Sequence, residues 1–209
     1  MKLLMMCFLP ALAWSQQAGI EGPSLGWVWD EVNARLRPVR GIAGSSTLGG
    51  VGSQPAAVAL RFATASPEGF AVGIGEDGML YRQVAGVWTM VDAPEGAVRV
   101  VLSDSGGAAL VLYKDGQARV LTGLPDQPKM AETPAGPAGA SALTISSDGS
   151  VMLSASPDER TVWVSNGAGH QWKLDLEQEV RSAALLPGGL GQDALLASGG
   201  GVWLIRDVA

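Results

Sequence analysis

Apolar residues in this chain come in short blocks separated by clusters of Gly, Pro, Ser and Asp. Val58 to Phe62, Val98 to Leu102, Ala142 to Ile145 and Ala183 to Leu186 are four such blocks. Each runs into a turn: Ser66-Pro67-Glu68-Gly69, Ser103-Asp104-Ser105-Gly106, Ser146-Ser147-Asp148-Gly149 and Leu186-Pro187-Gly188-Gly189. A second block follows each turn, at Phe70 to Ile74, Ala108 to Tyr113, Val151 to Ala155 and Ala194 to Ala197. Runs of this length bounded by turn residues predict short β-strands. Helical periodicity is nearly absent, because Gly and Pro interrupt almost every window long enough to show it. Only Asp30 to Leu36 could make two helical turns.

The strands repeat. The last glycines of the four turns are 37, 43 and 40 residues apart. A second tight turn follows in each unit, at Asp77-Gly78, Asp115-Gly116, Pro157 to Arg160 and Gly199-Gly200. Asp-Gly and Gly-Gly supply the positive φ angles that two-residue hairpins require. Three residues after Gly26, Gly78, Gly116, Arg160 and Gly200 stand Trp29, Tyr81, Arg119, Trp163 and Trp203, which places an aromatic residue on most of the third strands. A fourth strand is legible where Gly86 to Val91 is echoed by His170 to Leu174. Four short strands in roughly 40–45 residues is the size of one propeller blade, a small sheet standing radially about an axis. The tryptophans then read as filler between blades. Units are predicted at 57–93, 97–126, 140–176 and 180–209. They are preceded by two strands within 24–42 and a Gly/Ser-rich linker over 43–56. The expected fold class is therefore all-β: a β-propeller of about four four-stranded blades plus an N-terminal half-blade. That arrangement predicts an incomplete ring, open between the half-blade and residues 180–209; the alternative is a self-contained five-blade ring or a curved β-stack.

Leu143 to Ser156, followed by the Val-Trp-Val strand of Thr161 to Val164, resembles one blade of a WD40-like or related bacterial propeller. The shared pattern is a strand, a Ser-Asp-Gly turn, a strand ending in small residues, and a Val-Trp-Val strand. Gly26 to Asp30 with Leu36 to Ile42 is also similar to the opening segment of secreted bacterial propellers. The resemblance implies a secreted bacterial repeat protein, truncated at its C-terminus.

The amino terminus points the same way. Lys2 precedes an apolar run from Leu3 to Ala13, and Ala13-Trp14-Ser15 places small residues at the −3 and −1 positions of a cut before Gln16. This order is that of a secretory signal peptide, and the run is too short to span a bilayer. Residues 1–15 are thus read as a signal peptide and 16–209 as a β-propeller domain, incomplete at the C-terminus, with a secreted or periplasmic location. The one cysteine, Cys7, lies inside the leader. The mature chain therefore forms no disulfides and has no thiol chemistry. The formal charge is −6, and no Lys/Arg cluster interrupts it, which argues against nucleic acid as a partner. No later apolar run approaches spanning length, so no membrane span is expected after the leader.

Candidate chemistry is sparse. His170 is the single histidine and sits beside the turn Asn166 to Gly169, so the usual zinc ligand sets cannot assemble. Asp77, Asp115 and Asp148 each precede glycine, where turn chemistry accounts for them. Asp158-Glu159 and the pair Glu177 and Glu179 read as loop charges. No nucleophile elbow, phosphate loop or dinucleotide fingerprint is present. No catalytic, metal or cofactor residues are assigned, and no cofactor is expected. One recurrence stands out: Arg61, Arg99 and Arg181 fall on the first strands of their units, with Ser141 at the corresponding place between them. First strands line a propeller's channel, so the three arginines are candidate channel-lining contacts for carboxylates or phosphates. The functional reading is a non-catalytic binding or protein-interaction scaffold with a protein or glycan partner. The alternative is a propeller enzyme or cofactor-binding domain of glycan-active or quinone-dependent type.

Overall fold

A computed structural model describes residues 23–42, 44–50, 58–132, 142–156, 160–166, 170–187 and 192–208. Their regular structure is entirely β, in five antiparallel sheets laid out in chain order. Sheet one holds β1 (Ser24–Asp30), β2 (Arg35–Ile42) and β3 (Ser45–Leu48). Sheet two holds β4 (Leu60–Ala65), β5 (Ala71–Gly75), β6 (Leu80–Val84) and β7 (Val87–Met90). Sheet three holds β8 (Ala97–Leu102), β9 (Ala108–Tyr113), β10 (Ala118–Thr122) and β11 (Lys129–Glu132). Sheet four holds β12 (Ala142–Ile145), β13 (Val151–Ser156), β14 (Thr161–Asn166) and β15 (Gln171–Asp175). Sheet five holds β16 (Val180–Pro187), β17 (Gln192–Ser198) and β18 (Gly201–Ile205).

The turns follow from the sequence. Ser66, Ser103 and Ser146 open the first hairpin of sheets two, three and four, and all three are buried. In each, the glycine three residues on donates its N–H to the serine carbonyl at 2.9–3.1 Å. The serine hydroxyls accept from Glu68 N–H at 3.1 Å, Ala108 N–H at 3.2 Å and Val151 N–H at 2.8 Å. Gly106 shows why this position is glycine. Its φ is +79°, and a Cβ there would stand 2.2 Å from Ser66 Oγ and 3.0 Å from Phe70 Cζ of the preceding sheet. The turn of sheet three is therefore pressed onto sheet two.

Three hydrophobic cores lie between successive sheets. Phe70, Val72, Ile74 and Leu80 of sheet two meet Val100, Ala109, Val111 and Leu121 of sheet three. Ala108, Leu110, Ala118 and Val120 of sheet three meet Ile145 and Met152 of sheet four. Val151, Leu153, Val162 and Val164 of sheet four meet Val180, Leu185, Ala194 and Leu196 of sheet five. The alternation is that of a strand buried on both faces: Ala109 and Val111 of β9 turn to one neighbour, Ala108 and Leu110 to the other. Each large aliphatic side chain so buried contributes about 1.5–3 kcal/mol. Packing between first strands runs β1 to β4, β4 to β8, β8 to β12 and β12 to β16, so these strands line the axis. This is a five-bladed β-propeller.

Several expectations need correction. Residues 24–42 are not a two-stranded half-blade: β3, from the predicted linker, pairs with β2 through Val39–Leu48 to Ile42–Ser45 and makes a three-stranded blade. The blades number five, of which the middle three have four strands. Asp30 to Leu36 is no helix but the β1–β2 hairpin, whose turn is held by Asp30 Oδ1 accepting from the N–H groups of Val32 and Asn33 at 3.1 Å. Trp29 lies on β1, a first strand, and contacts Phe62 of β4 with ring centroids 6.3 Å apart. It is therefore not equivalent to Tyr81, Trp163 and Trp203, which do occupy third strands. Among the described residues, no packing comparable to that between the other neighbours joins sheet five to sheet one. The predicted leader, the Pro157 to Glu159 part of a turn, and Ser141 lie outside the described residues.

Candidate functional site

β4 and β8 have the same pattern of exposure along their length: a buried first residue, an exposed second, a half-buried third, then a buried fourth. Each carries a β-bulge at its start. Leu60 pairs with Gly75 and Phe62 with Ile74, leaving Arg61 as the extra residue. Ala97 pairs with Tyr113 and Arg99 with Leu112, leaving Val98 extra. β16 repeats the irregularity between Val180 and Ser182, with Arg181 extra. A bulge re-aims the side chain at the kink. Arg61 and Arg181 are thus structural equivalents, whereas Arg99 stands one position further on, where sheet two has Phe62.

Because β4 and β8 are neighbouring first strands, two of the three predicted arginines come together. A cleft of about 560 Å³ opens between β4 and β8, lined by Arg61, Phe62, Thr64, Val98, Arg99 and the Val100 to Leu102 segment. The Arg61 guanidinium donates from Nη2 to the Ala97 carbonyl, bridging from β4 to the first residue of β8. Arg61 is exposed and Arg99 half-buried. Arg181 does not join them. Its Nη2 lies beside the β17–β18 turn, 3.8 Å from where a Cβ on Gly199 would be.

The remaining polar groups serve the turns. Asp77 accepts from Met79 N–H at 2.9 Å and from the Tyr81 hydroxyl at 2.7 Å. These bonds, the Met79 N–H first, hold the Asp77 carboxyl below the usual aspartate range, and the Asp77 bond raises Tyr81 above the usual phenol range. Asp148 is lowered chiefly by the Ser146 hydroxyl, 2.6 Å away, and then by the backbone N–H and hydroxyl of Ser150. Burial raises Tyr113, over whose ring the Arg119 guanidinium lies 5.0 Å from the centroid. His170 is exposed, with its backbone N–H bonded to Asn166 Oδ1 at 3.0 Å. Among the described residues, no three His, Cys, Asp or Glu side chains stand close enough to share a metal ion.

Sequence reasoning named the two arginines of the cleft but missed their apolar surroundings. Phe62, Val98, Val101 and Leu102 were read only as strand formers. The signal available was the doubled pattern itself, since Leu60-Arg61-Phe62 and Val98-Arg99-Val100 each set an arginine between two apolar residues.

Five radial antiparallel sheets with first strands about a common axis define a β-propeller. Among solved structures, the chain is similar to the crystal structure of the Myceliophteria thermophila Cps50 (Swd1) β-propeller domain, with a TM-score of 0.55 and 12% identity. The match covers 82% of this chain and 64% of that one, so this chain spans less than two thirds of the domain it resembles. At such identity the likeness is one of fold. No family model matches the sequence. No curated protein is similar to it at a significant level.

Proposed function

We propose that the protein is a non-catalytic binding or interaction scaffold, exported to a secreted or periplasmic location, that holds a protein or glycan partner. The observation that carries this reading is the cleft between β4 and β8. It is a concave site of ligand size on the inner edge of two sheets whose shared core is packed from Phe70 to Leu121. A rigid scaffold presenting a concave surface with a few polar groups suits recognition.

A photo-crosslinking side chain at Val98, which lines the cleft and is 38% exposed, tests the reading. Protein expressed with its leader in a diderm bacterium should give discrete adducts from Val98 and none from Met90, on the outermost strand of sheet two. Absence of adducts from Val98, or turnover of glycosides or quinone-coupled substrates by the purified chain, would overturn it. Mass spectrometry of the same material should find the mature terminus at Gln16. An intact residue 1 on cytoplasmic protein would contradict export.

A further inference from the structure

We propose that the β4–β8 cleft binds an organic carboxylate carried on an apolar body, an inference that rests on the scaffold reading above. Its described lining contains two guanidinium groups, one threonine, and no carboxylate. That composition is unusual for a chain with 20 acidic and 14 basic side chains. Arginine presents five N–H donors in a planar fork that matches a carboxylate two bonds at a time. The bond from Arg61 Nη2 to the Ala97 carbonyl fixes the guanidinium at the cleft's edge and leaves the other donors of its fork unused by that bond. Part of the entropy of ordering a long side chain is therefore met before any ligand arrives.

The apolar body follows from size and lining. A cleft of about 560 Å³ lies within the range of roughly 300–1,000 Å³ typical of small-molecule sites, and a bare inorganic anion would fill little of it. Phe62, Val98, Val101 and Leu102 supply the apolar walls, while Thr64 adds one hydroxyl that can donate or accept. Because the protein as a whole is acidic, an anion must be held by these local cations. The attraction should weaken with salt, since charges at a partly exposed site are screened over about 8–10 Å in physiological buffers. The carboxylate could come from a free aliphatic acid or from an acidic side chain flanked by apolar residues in a protein partner. Both present the same group to the same fork.

The test titrates the full chain with octanoate, with the capped peptide acetyl-Leu-Glu-Leu-amide, with its Gln counterpart, and with inorganic phosphate. Binding is followed by calorimetry and by the arginine side-chain NMR signals of the unmodified protein. Octanoate, the Glu peptide, or both should bind and shift the signals of Arg61 and Arg99. Binding of octanoate alone assigns the site to free acids, and binding of the peptide alone assigns it to acidic side chains. Arg61→Gln and Arg99→Gln should each weaken binding by about tenfold or more, as expected for loss of a charge-assisted pair. Arg181→Gln, outside the cleft, should change it less than twofold. Should either glutamine variant fail to fold, the NMR shifts of the unmodified protein and the Arg99→Lys variant still decide the matter. The proposal is overturned if neither carboxylate binds, if phosphate or the Gln peptide binds as well, or if the arginine signals stay fixed. Continued Val98 crosslinking to a partner in those circumstances would leave the scaffold reading standing and remove only the carboxylate.

Discussion

Sheets two to four and the two terminal sheets share a topology but not an environment. Along β5 every residue is buried, and along β9 all but one. β3 is exposed throughout, and β18 is exposed at four of its five positions. Sheet three has a hydrophobic core on each face, whereas sheet one, among the described residues, packs on sheet two through β1 and β2 against β4, the Trp29–Phe62 ring contact included, with no buried core cluster between them. Leu25, Trp27 and Val28 of β1 and Val202, Trp203 and Leu204 of β18 are all 40% or more exposed. A blade's apolar faces are thus buried only where a neighbour covers them, and identical strand chemistry yields core in one place and surface in another. The expectation that the tryptophans fill inter-blade space fails for Trp27, Trp172 and Trp203, each of which is 40% or more exposed. Contiguous apolar surface of this kind is uncommon on soluble monomers.

The sharpest way to break this contrast is to truncate one leucine in each region. Leu110→Ala empties space in a core on sheet three where the side chain is 1% exposed, and should cost about 2–5 kcal/mol. Leu204→Ala, at a side chain 51% exposed, should cost less than about 1 kcal/mol. Urea denaturation measures both, and equal losses would mean that the last sheet is covered in solution.

Glycines offer a second comparison. Gly44 and Gly106 both have positive φ, but a Cβ on Gly44 would meet nothing within 4 Å, while one on Gly106 would strike Ser66. Gly44→Ala should cost only the left-handed strain, about 1–2 kcal/mol. Gly106→Ala should add an overpacking cost of about 1–3 kcal/mol. Thermal melts of the two variants would contradict this if they coincided.

Acid titration gives the smallest effect. The Asp148 carboxyl is held low by its bonds, so the stability it contributes is fully present above the unfolded aspartate pKa of about 3.9. It is lost as pH falls through the lowered folded value. Asp148→Asn should therefore flatten the fall in Tm between about pH 5 and about pH 2.5, by a few degrees at most. Asp30 is lowered in the same direction, first by the Asn33 side chain and then by the Asn33 N–H. It braces only the outlying β1–β2 hairpin, so Asp30→Asn should leave the pH dependence of the main transition nearly unchanged. Parallel curves for Asp148→Asn and the wild type would refute the first half, and a flattened curve for Asp30→Asn the second.

The blade repeat was legible because turn residues are position-specific. Ser-x-x-Gly and Asp-Gly marked the hairpins of sheets two and three and the first hairpin of sheet four. Strands without alternation were not legible. Ser45-Ser46-Thr47-Leu48 carries no apolar face, and its pairing with β2 left no trace in composition. Lys129 to Glu132 was missed as the fourth strand of sheet three because it is short and only half apolar. The arginine recurrence was seen, but Arg61 stands eight residues before Gly69 and Arg99 seven before Gly106, so they occupy successive positions of equivalent, equally bulged strands rather than the same one.

Amide hydrogen exchange, read strand by strand on the full chain, tests the central contrast most directly. Amides in the central strands of covered blades should open only with global unfolding, whereas those of a sheet with one weakly packed face should open locally. The account predicts that β5, β9 and β13 exchange slowest and together, and that β2, β3 and β18 exchange faster by about tenfold or more, corresponding to at least about 1.4 kcal/mol in opening free energy. Uniform protection across all five sheets would show that sheets one and five are covered, and would contradict the account.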